Sequence, residues 1–150
     1  MDSSIVANYA TVVSNPEDAD FAILRVNTPW IPAETKNPFA LGFHHGDLDF
    51  KGEEKERILS ICKKVPTIFN IYLDRPAVIP DIAEASKAVI ADYGANDKAA
   101  CEVIFGNIGP KGKLPFELPS SMEAVANQMT DVPYDSKDPL YEYGHGLSYE

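Results

Sequence analysis

The sequence predicts a wound α/β fold: a three-layer sandwich built on a mainly parallel sheet. Three observations predict it. Apolar runs of strand length recur at residues 21–26, 66–73 and 88–93, the pattern of strands buried on both faces. Helical stretches at 51–64, 80–87 and 98–105 alternate with them, and strand–helix alternation implies parallel pairing through right-handed crossovers. Residues 105–119 then run from helix end through a glycine turn into a short extended segment, which is a connection on such a scaffold.

Taken in order, residues 3–13 are mildly apolar without clean periodicity and read as either helix or strand. Asn15 and Pro16 suit the N-cap and first position of a helical turn over 15–18. After the strand at 21–26, residues 27–49 hold three prolines, two glycines and the aromatics Trp30, Phe39 and Phe43. A connection of that length inside a compact domain is usually functional. The helix at 51–64 places Glu53, Glu54 and Glu56 at its N-terminal end and Lys63 and Lys64 at its C-terminal end, complementing the helix dipole, with Ile58, Leu59, Ile61 and Cys62 as its apolar stripe. Pro80 opens the next helix.

In the helix at 98–105, Ala99, Ala100, Val103 and Ile104 share a face, and Gly106 fits a left-handed helix end. Gly109-Pro110 and Lys111-Gly112 turn the chain. The proline-interrupted run 113–118 belongs at a sheet edge or outside the sheet. Ser120 and Ser121 can cap a helix over 122–128. The remainder is expected to be an ordered tail packed over the scaffold or, in isolation, partly disordered.

A chain of 150 residues with 45% hydrophobic content holds one core of ordinary size, so residues 1–150 are read as one domain. The net charge of −10 and the scattering of the 13 basic residues argue against a nucleic-acid partner. No apolar run reaches the length of a membrane span and the N-terminus lacks a signal-peptide layout, so no membrane partner is expected and the chain is read as soluble. Cys62 and Cys101 fall on separate helices and are expected free and at least partly buried. Gly106 and Gly112-Lys113 nearly match a phosphate-binding loop, but the spacing is one residue too long and Leu114 replaces Ser or Thr. The order is also wrong, because a phosphate loop needs a strand before it and a helix N-terminus after it. No cofactor is expected.

In open parallel sheets ligands bind beyond the carboxyl ends of the strands, which directs attention to the loops after Val26, Leu73 and Tyr93. The first carries Glu34, His44, His45, Asp47 and Asp49, the second Asp74 and Arg75, the third Asn96 and Asp97. Arg75 is expected to pair with Asp74 or Asp97. His44-His45-Gly46-Asp47 has metal-ligand residue types, but adjacent histidines do not easily face one ion, and no metal is expected. A serine-hydrolase elbow, Gly-x-Ser-x-Gly, is absent from the sequence.

Three separated motifs carry a resemblance. Phe105-Gly106 leads to Pro110-Lys111-Gly112-Lys113-Leu114-Pro115, Pro139-Leu140-Tyr141 leads to Tyr143-Gly144-His145-Gly146-Leu147-Ser148-Tyr149, and Asp74-Arg75-Pro76 follows a strand. In this order they resemble the C-terminal α/β sandwich domain of glycoside hydrolase family 3, the β-glucosidase and β-xylosidase family. Pro29-Trp30-Ile31-Pro32-Ala33-Glu34-Thr35-Lys36 is similar to the Pro-Pro-Tyr-x-Glu-Thr-Lys segment of its plant-type members, and Asp47-Leu48-Asp49-Phe50 to the run that follows.

The resemblance implies that Glu34 matches the catalytic acid/base, that Trp30 and Phe39 offer sugar-stacking faces, and that Arg75 lies near the substrate cleft. An insertion at 37–46 departs from the pattern and either leaves the role with Glu34 or hands it to Asp47. Outside the resemblance, Glu34 reads as a solvated loop carboxylate and the aromatics as packing residues. The implied partners are a β-linked glycoside and an N-terminal (β/α)8 barrel carrying the nucleophile, for which these 150 residues leave no room. A flavodoxin-like binding or interaction module without catalysis is the alternative on the same scaffold.

Overall fold

The computed structural model describes residues 1–149. In chain order the elements are helix α1 (Ser3–Val6), a 3-10 turn (Pro16–Asp18), strand β1 (Ala22–Asn27), a second 3-10 turn (Ala40–Gly42), α2 (Gly52–Lys64), β2 (Thr67–Tyr72), α3 (Pro80–Ala85), β3 (Ala88–Asp92), α4 (Asp97–Ile104) and α5 (Met122–Asn127). The three strands form one sheet in the order β1-β2-β3, every pair parallel, with Val26 opposite Ile71 and Ile71 opposite Ala91. The predicted strands are displaced by no more than one residue.

Alternation along the strands divides the sheet into two unlike faces. Leu24, Val26, Phe69, Ile71, Val89 and Ala91 join a core completed by Phe50, by Ile58 of α2 and by Ile82 of α3. Phe69, Ile58 and Ile71 are fully buried, and each such side chain contributes about 1.5–3 kcal/mol by leaving water. The opposite face carries Arg25, Asn70 and Asp92. Beyond it, the turn after α1 meets the end of α4: Tyr9 stacks on Phe105, the residue that ends α4, at 5.2 Å between ring centroids, and the Tyr9 hydroxyl donates to Glu102 of α4 at 2.5 Å.

Local chemistry sets the ends of the elements. Gly106 takes the left-handed conformation expected of it, φ +78°. Ser121 caps α5 by accepting from the Ala124 amide at 3.0 Å, and Asn96 caps α4 through Ala99 at 2.9 Å. The third helix stops two residues before its predicted end because the Ser86 hydroxyl folds back onto the Ile82 carbonyl at 2.7 Å and the Lys87 amide already donates to Thr67 of the central strand at 2.8 Å. Asn15 is a correction: Pro16 opens the 3-10 turn, but the Asn15 side chain donates to the Asp18 carboxylate at 3.0 Å instead of capping. The ambiguous segment 3–13 resolves into the short α1, whose cap is Asp2.

The run 113–118 lies outside the sheet and pairs antiparallel with the tail. The Leu114 amide donates to His145 and the Gly144 amide to Leu114, both at 2.9 Å, and Leu118 bridges Tyr141. The tail is therefore ordered, with Leu140 and Tyr141 packed against the core around the buried Leu118. Gly146 shows why the tail motif uses glycine: a β-carbon there would lie 2.4 Å from the Gly112 carbonyl oxygen. Cys62 is half-buried and Cys101 buried, both free. No helix of the described residues is long and apolar enough to cross a membrane.

Candidate functional site

The connection leaving the carboxyl end of β1 is anchored at once. Thr28 is buried, and its amide and hydroxyl both donate to the Tyr72 carbonyl, at 3.0 and 2.8 Å. Further out, the Ile31 amide donates to the His45 carbonyl at 2.8 Å, so the two limbs of the loop meet in an antiparallel bridge. Gly46 follows with φ +86°, where a β-carbon would lie 2.8 Å from the Ile31 side chain. A left-handed turn held against its neighbour needs glycine at this position. The loop rejoins the scaffold where the Val78 amide donates to the Leu48 carbonyl at 2.9 Å.

Arg75 holds both limbs. Its Nη2 donates to the carbonyls of Pro29 at 2.5 Å and Asp47 at 2.8 Å, and its Nη1 to those of Gly46 at 3.2 Å and His44 at 3.4 Å. The expected pairing with Asp74 or Asp97 is replaced by this array. A planar guanidinium offers five donors in a fixed fork, and it satisfies backbone carbonyls that a loop otherwise leaves unpaired. The two acids go elsewhere: Asp74 contacts Nδ1 of His44, and Asp97 pairs with Arg25.

The structure thus gathers Trp30, His44, Asp74 and Arg75. The Trp30 indole stacks on the His44 ring at 4.4 Å and 15° between planes, and Trp30 stays 43% exposed. Glu34 lies on the exposed outward limb, outside this network. Asp47 is exposed and its carboxylate is bonded to Lys51, a pairing that raises the Lys51 pKa above its ordinary value. Lys51 also stands 3.6 Å from Asp49. Ile31, Phe39, Leu41 and Phe43 add an exposed apolar fringe to the same loop, Phe39 reaching 84% exposure. Of the third loop, Asn96 serves as a helix cap and Asp97 as a partner for Arg25, away from these groups. Among the described residues no three His, Cys, Asp or Glu side chains gather to hold an ion.

Sequence reasoning missed two constellations. The first is the His44–Asp74 contact, although both residues stand on loops at the same ends of adjacent strands. The second lies on the polar sheet face: Arg25 meets Asp97 and the Ala95 carbonyl, and stands 3.4 Å from Asp92, while Asn70 donates to Asp92 at 2.8 Å. An arginine inside an apolar strand was its signal, because a charge that enters a sheet needs a partner. A cavity of about 420 Å3 follows the free edge of β1, from Arg25 to Trp30 on one side and Glu54 and Arg57 on the other.

Known proteins are similar to this chain in sequence and in fold. Residues 5–149 match the family model described as the glycosyl hydrolase family 3 C-terminal domain. A probable β-glucosidase C of Aspergillus flavus is 53% identical over 142 residues, covering 95% of this chain and 22% of that protein. A periplasmic β-glucosidase/β-xylosidase of Dickeya chrysanthemi is 38% identical over 138 residues, covering 91% of this chain and 21% of that one. The crystal structure of a β-glucosidase from Listeria innocua in complex with isofagomine superimposes with a TM-score of 0.60 at 17% identity, over 89% of this chain and 21% of that one. The chain therefore spans about a fifth of the length of the proteins it matches.

Proposed function

The chain belongs to the glycoside hydrolase family 3 C-terminal domains, and from that premise we propose that it contributes the acid/base loop and one wall of the sugar cleft to a retaining β-glycosidase of the β-glucosidase type. The observation that carries the reading is the loop itself: it leaves the carboxyl end of β1, is clamped by Arg75, and holds both Glu34 and Trp30 exposed to solvent. Retaining glycosidases divide their chemistry between a nucleophile and an acid/base about 5–5.5 Å apart across the scissile bond. Glu34 supplies the proton to the departing oxygen and later removes one from the attacking water. The nucleophile comes from a (β/α)8 barrel outside these 150 residues, and the substrate is a β-linked glycoside. Trp30 offers an indole face to a sugar ring, and Arg75 serves the substrate by fixing the loop beside it.

Asp47 is the alternative acid/base; its carboxylate is engaged by Lys51, so a substrate would have to displace that contact to reach it. The test is the leaving-group dependence of Glu34→Ala in the full-length enzyme. Poor leaving groups need protonation in the first step and activated aryl groups do not. Glu34→Ala is expected to slow glycosides of poor leaving groups by roughly 10²-fold or more and activated ones far less in their first step. An equal loss on both classes, or the expected pattern in Asp47→Ala instead, would remove the role from Glu34.

A further inference from the structure

Outside the acid/base assignment, the loop contains a polar group that is oriented with more care than either carboxylate candidate. The His44 ring is held on two sides, and its backbone by a third contact. Its Nδ1 meets the Asp74 carboxylate, its face lies on the Trp30 indole, and its backbone carbonyl accepts from Arg75. In the tautomer that carries its proton on Nδ1 and donates it to Asp74, the ring presents Nε2 as a hydrogen-bond acceptor. The side chain is 34% exposed, beside an indole that is 43% exposed.

We propose that His44, oriented by Asp74 and stacked on Trp30, is a hydroxyl-recognising residue that reads one hydroxyl group of a sugar in this cleft. The proposal rests on the glycosidase function proposed for the domain and adds a specificity residue to it. The chemistry selects a neutral polyol. An aromatic face suits the C–H side of a pyranose ring, and a single fixed acceptor beside it suits a hydroxyl donor. An anionic ligand would meet the Asp74 carboxylate, while the nearby Arg75 charge is already directed onto four loop carbonyls. Because the ring is held before any ligand arrives, little rotamer freedom is lost on binding. Asp74 acts through His44 and is a positioning residue.

The test compares kcat/KM of the full-length enzyme on an activated aryl β-glucoside and on its monodeoxy analogues, all with one leaving group. His44→Ala is expected to lose about tenfold or more on the parent glucoside. On the analogue that lacks the hydroxyl in question, the loss should shrink to about threefold or less, since the substrate no longer brings the donor. Asp74→Asn should follow the same substrate pattern with a smaller loss. A uniform loss on every analogue, or no loss at all, overturns the proposal. Full-length protein without glycosidase activity overturns the glycosidase function and this proposal with it, whereas an active enzyme with unchanged ratios overturns this proposal alone. The behaviour of Glu34→Ala does not enter, because each ratio is taken at a constant leaving group. Independent of turnover, nitrogen NMR of the 150-residue chain should show neutral His44 protonated at Nδ1 in the wild type and a mixture of tautomers in Asp74→Asn. A wild-type ring protonated at Nε2 would leave no acceptor for a hydroxyl and would overturn the proposal.

Discussion

Arg75 reaches four backbone carbonyls on both limbs of the candidate loop, and so the position of Trp30 and His44 depends on one side chain that touches neither ring. Replacing it with methionine keeps much of the length and removes every donor. Arg75→Met is expected to cost about 2 kcal/mol, from the usual worth of hydrogen bonds made by a charged donor. Lysine should restore only part, since a point charge does not fork across four acceptors. Trp30 is the chain's one tryptophan, so its fluorescence reports the loop directly while chemical denaturation reports stability. A stable variant with unchanged emission would show that the clamp is dispensable. This part of the site was only half legible in the sequence. Residue types and loop membership were readable for Arg75, Asp74 and His44, but pairing was not, because carbonyls that a loop path brings within reach have no residue-type signature. The expectation that a guanidinium seeks the nearest carboxylate failed for that reason.

At the scale of elements, α1 is attached to α4 by polar contacts that titrate. The Asp2 amide donates to the Asp97 carboxylate at 2.6 Å, and the Tyr9 hydroxyl to Glu102 at 2.5 Å. The Asp2 amide holds the Asp97 pKa below its ordinary value, with Arg25 adding to it, and the Tyr9 hydroxyl does the same for Glu102. A carboxylate whose folded pKa is depressed contributes stability that is present above its unfolded value and lost as pH falls through the folded one. The attachment of α1 should therefore weaken on acidification below the carboxylate range, about pH 4. At the other end, the same bond pushes the Tyr9 phenol up to about 12 from its ordinary 10.0. Its contribution is present below the ordinary value and disappears as pH rises through the raised one. Tyr9→Phe should flatten both limbs of the stability–pH curve measured by urea denaturation, and a curve identical to wild type would contradict the linkage. The elements themselves were legible where apolar residues run together, as in the three strands, or recur with a helical period, as in α2. They were obscure where a single side chain decides, as with Ser86 ending α3 and Asp2 starting α1.

For the molecule as a whole, the sheet order, the docked tail and the clamped loop describe a scaffold that holds one long loop at the carboxyl ends of its strands. The family was readable because its motifs sit where backbone geometry permits few residues. Gly146 against the Gly112 carbonyl and Gly106 at a left-handed helix end are examples. The loop was less legible, since the insertion at 37–46 follows no motif and carries the exposed Phe39, Leu41 and Phe43. If the nucleophile stands on a barrel outside these 150 residues, the isolated domain lacks half of the catalytic pair. It is then expected to hydrolyse an aryl β-glucoside no faster than buffer. A rate well above buffer that disappears when a residue of this chain is mutated would contradict that.

Azide rescue decides whether Glu34 is the acid/base on which the proposed function depends. The measurement is turnover of an activated aryl β-glucoside by full-length Glu34→Ala with and without added azide. Azide attacks the glycosyl-enzyme without needing a base, so it should restore turnover and yield the glycosyl azide of retained configuration. No acceleration in Glu34→Ala, with rescue found in Asp47→Ala instead, would contradict the assignment.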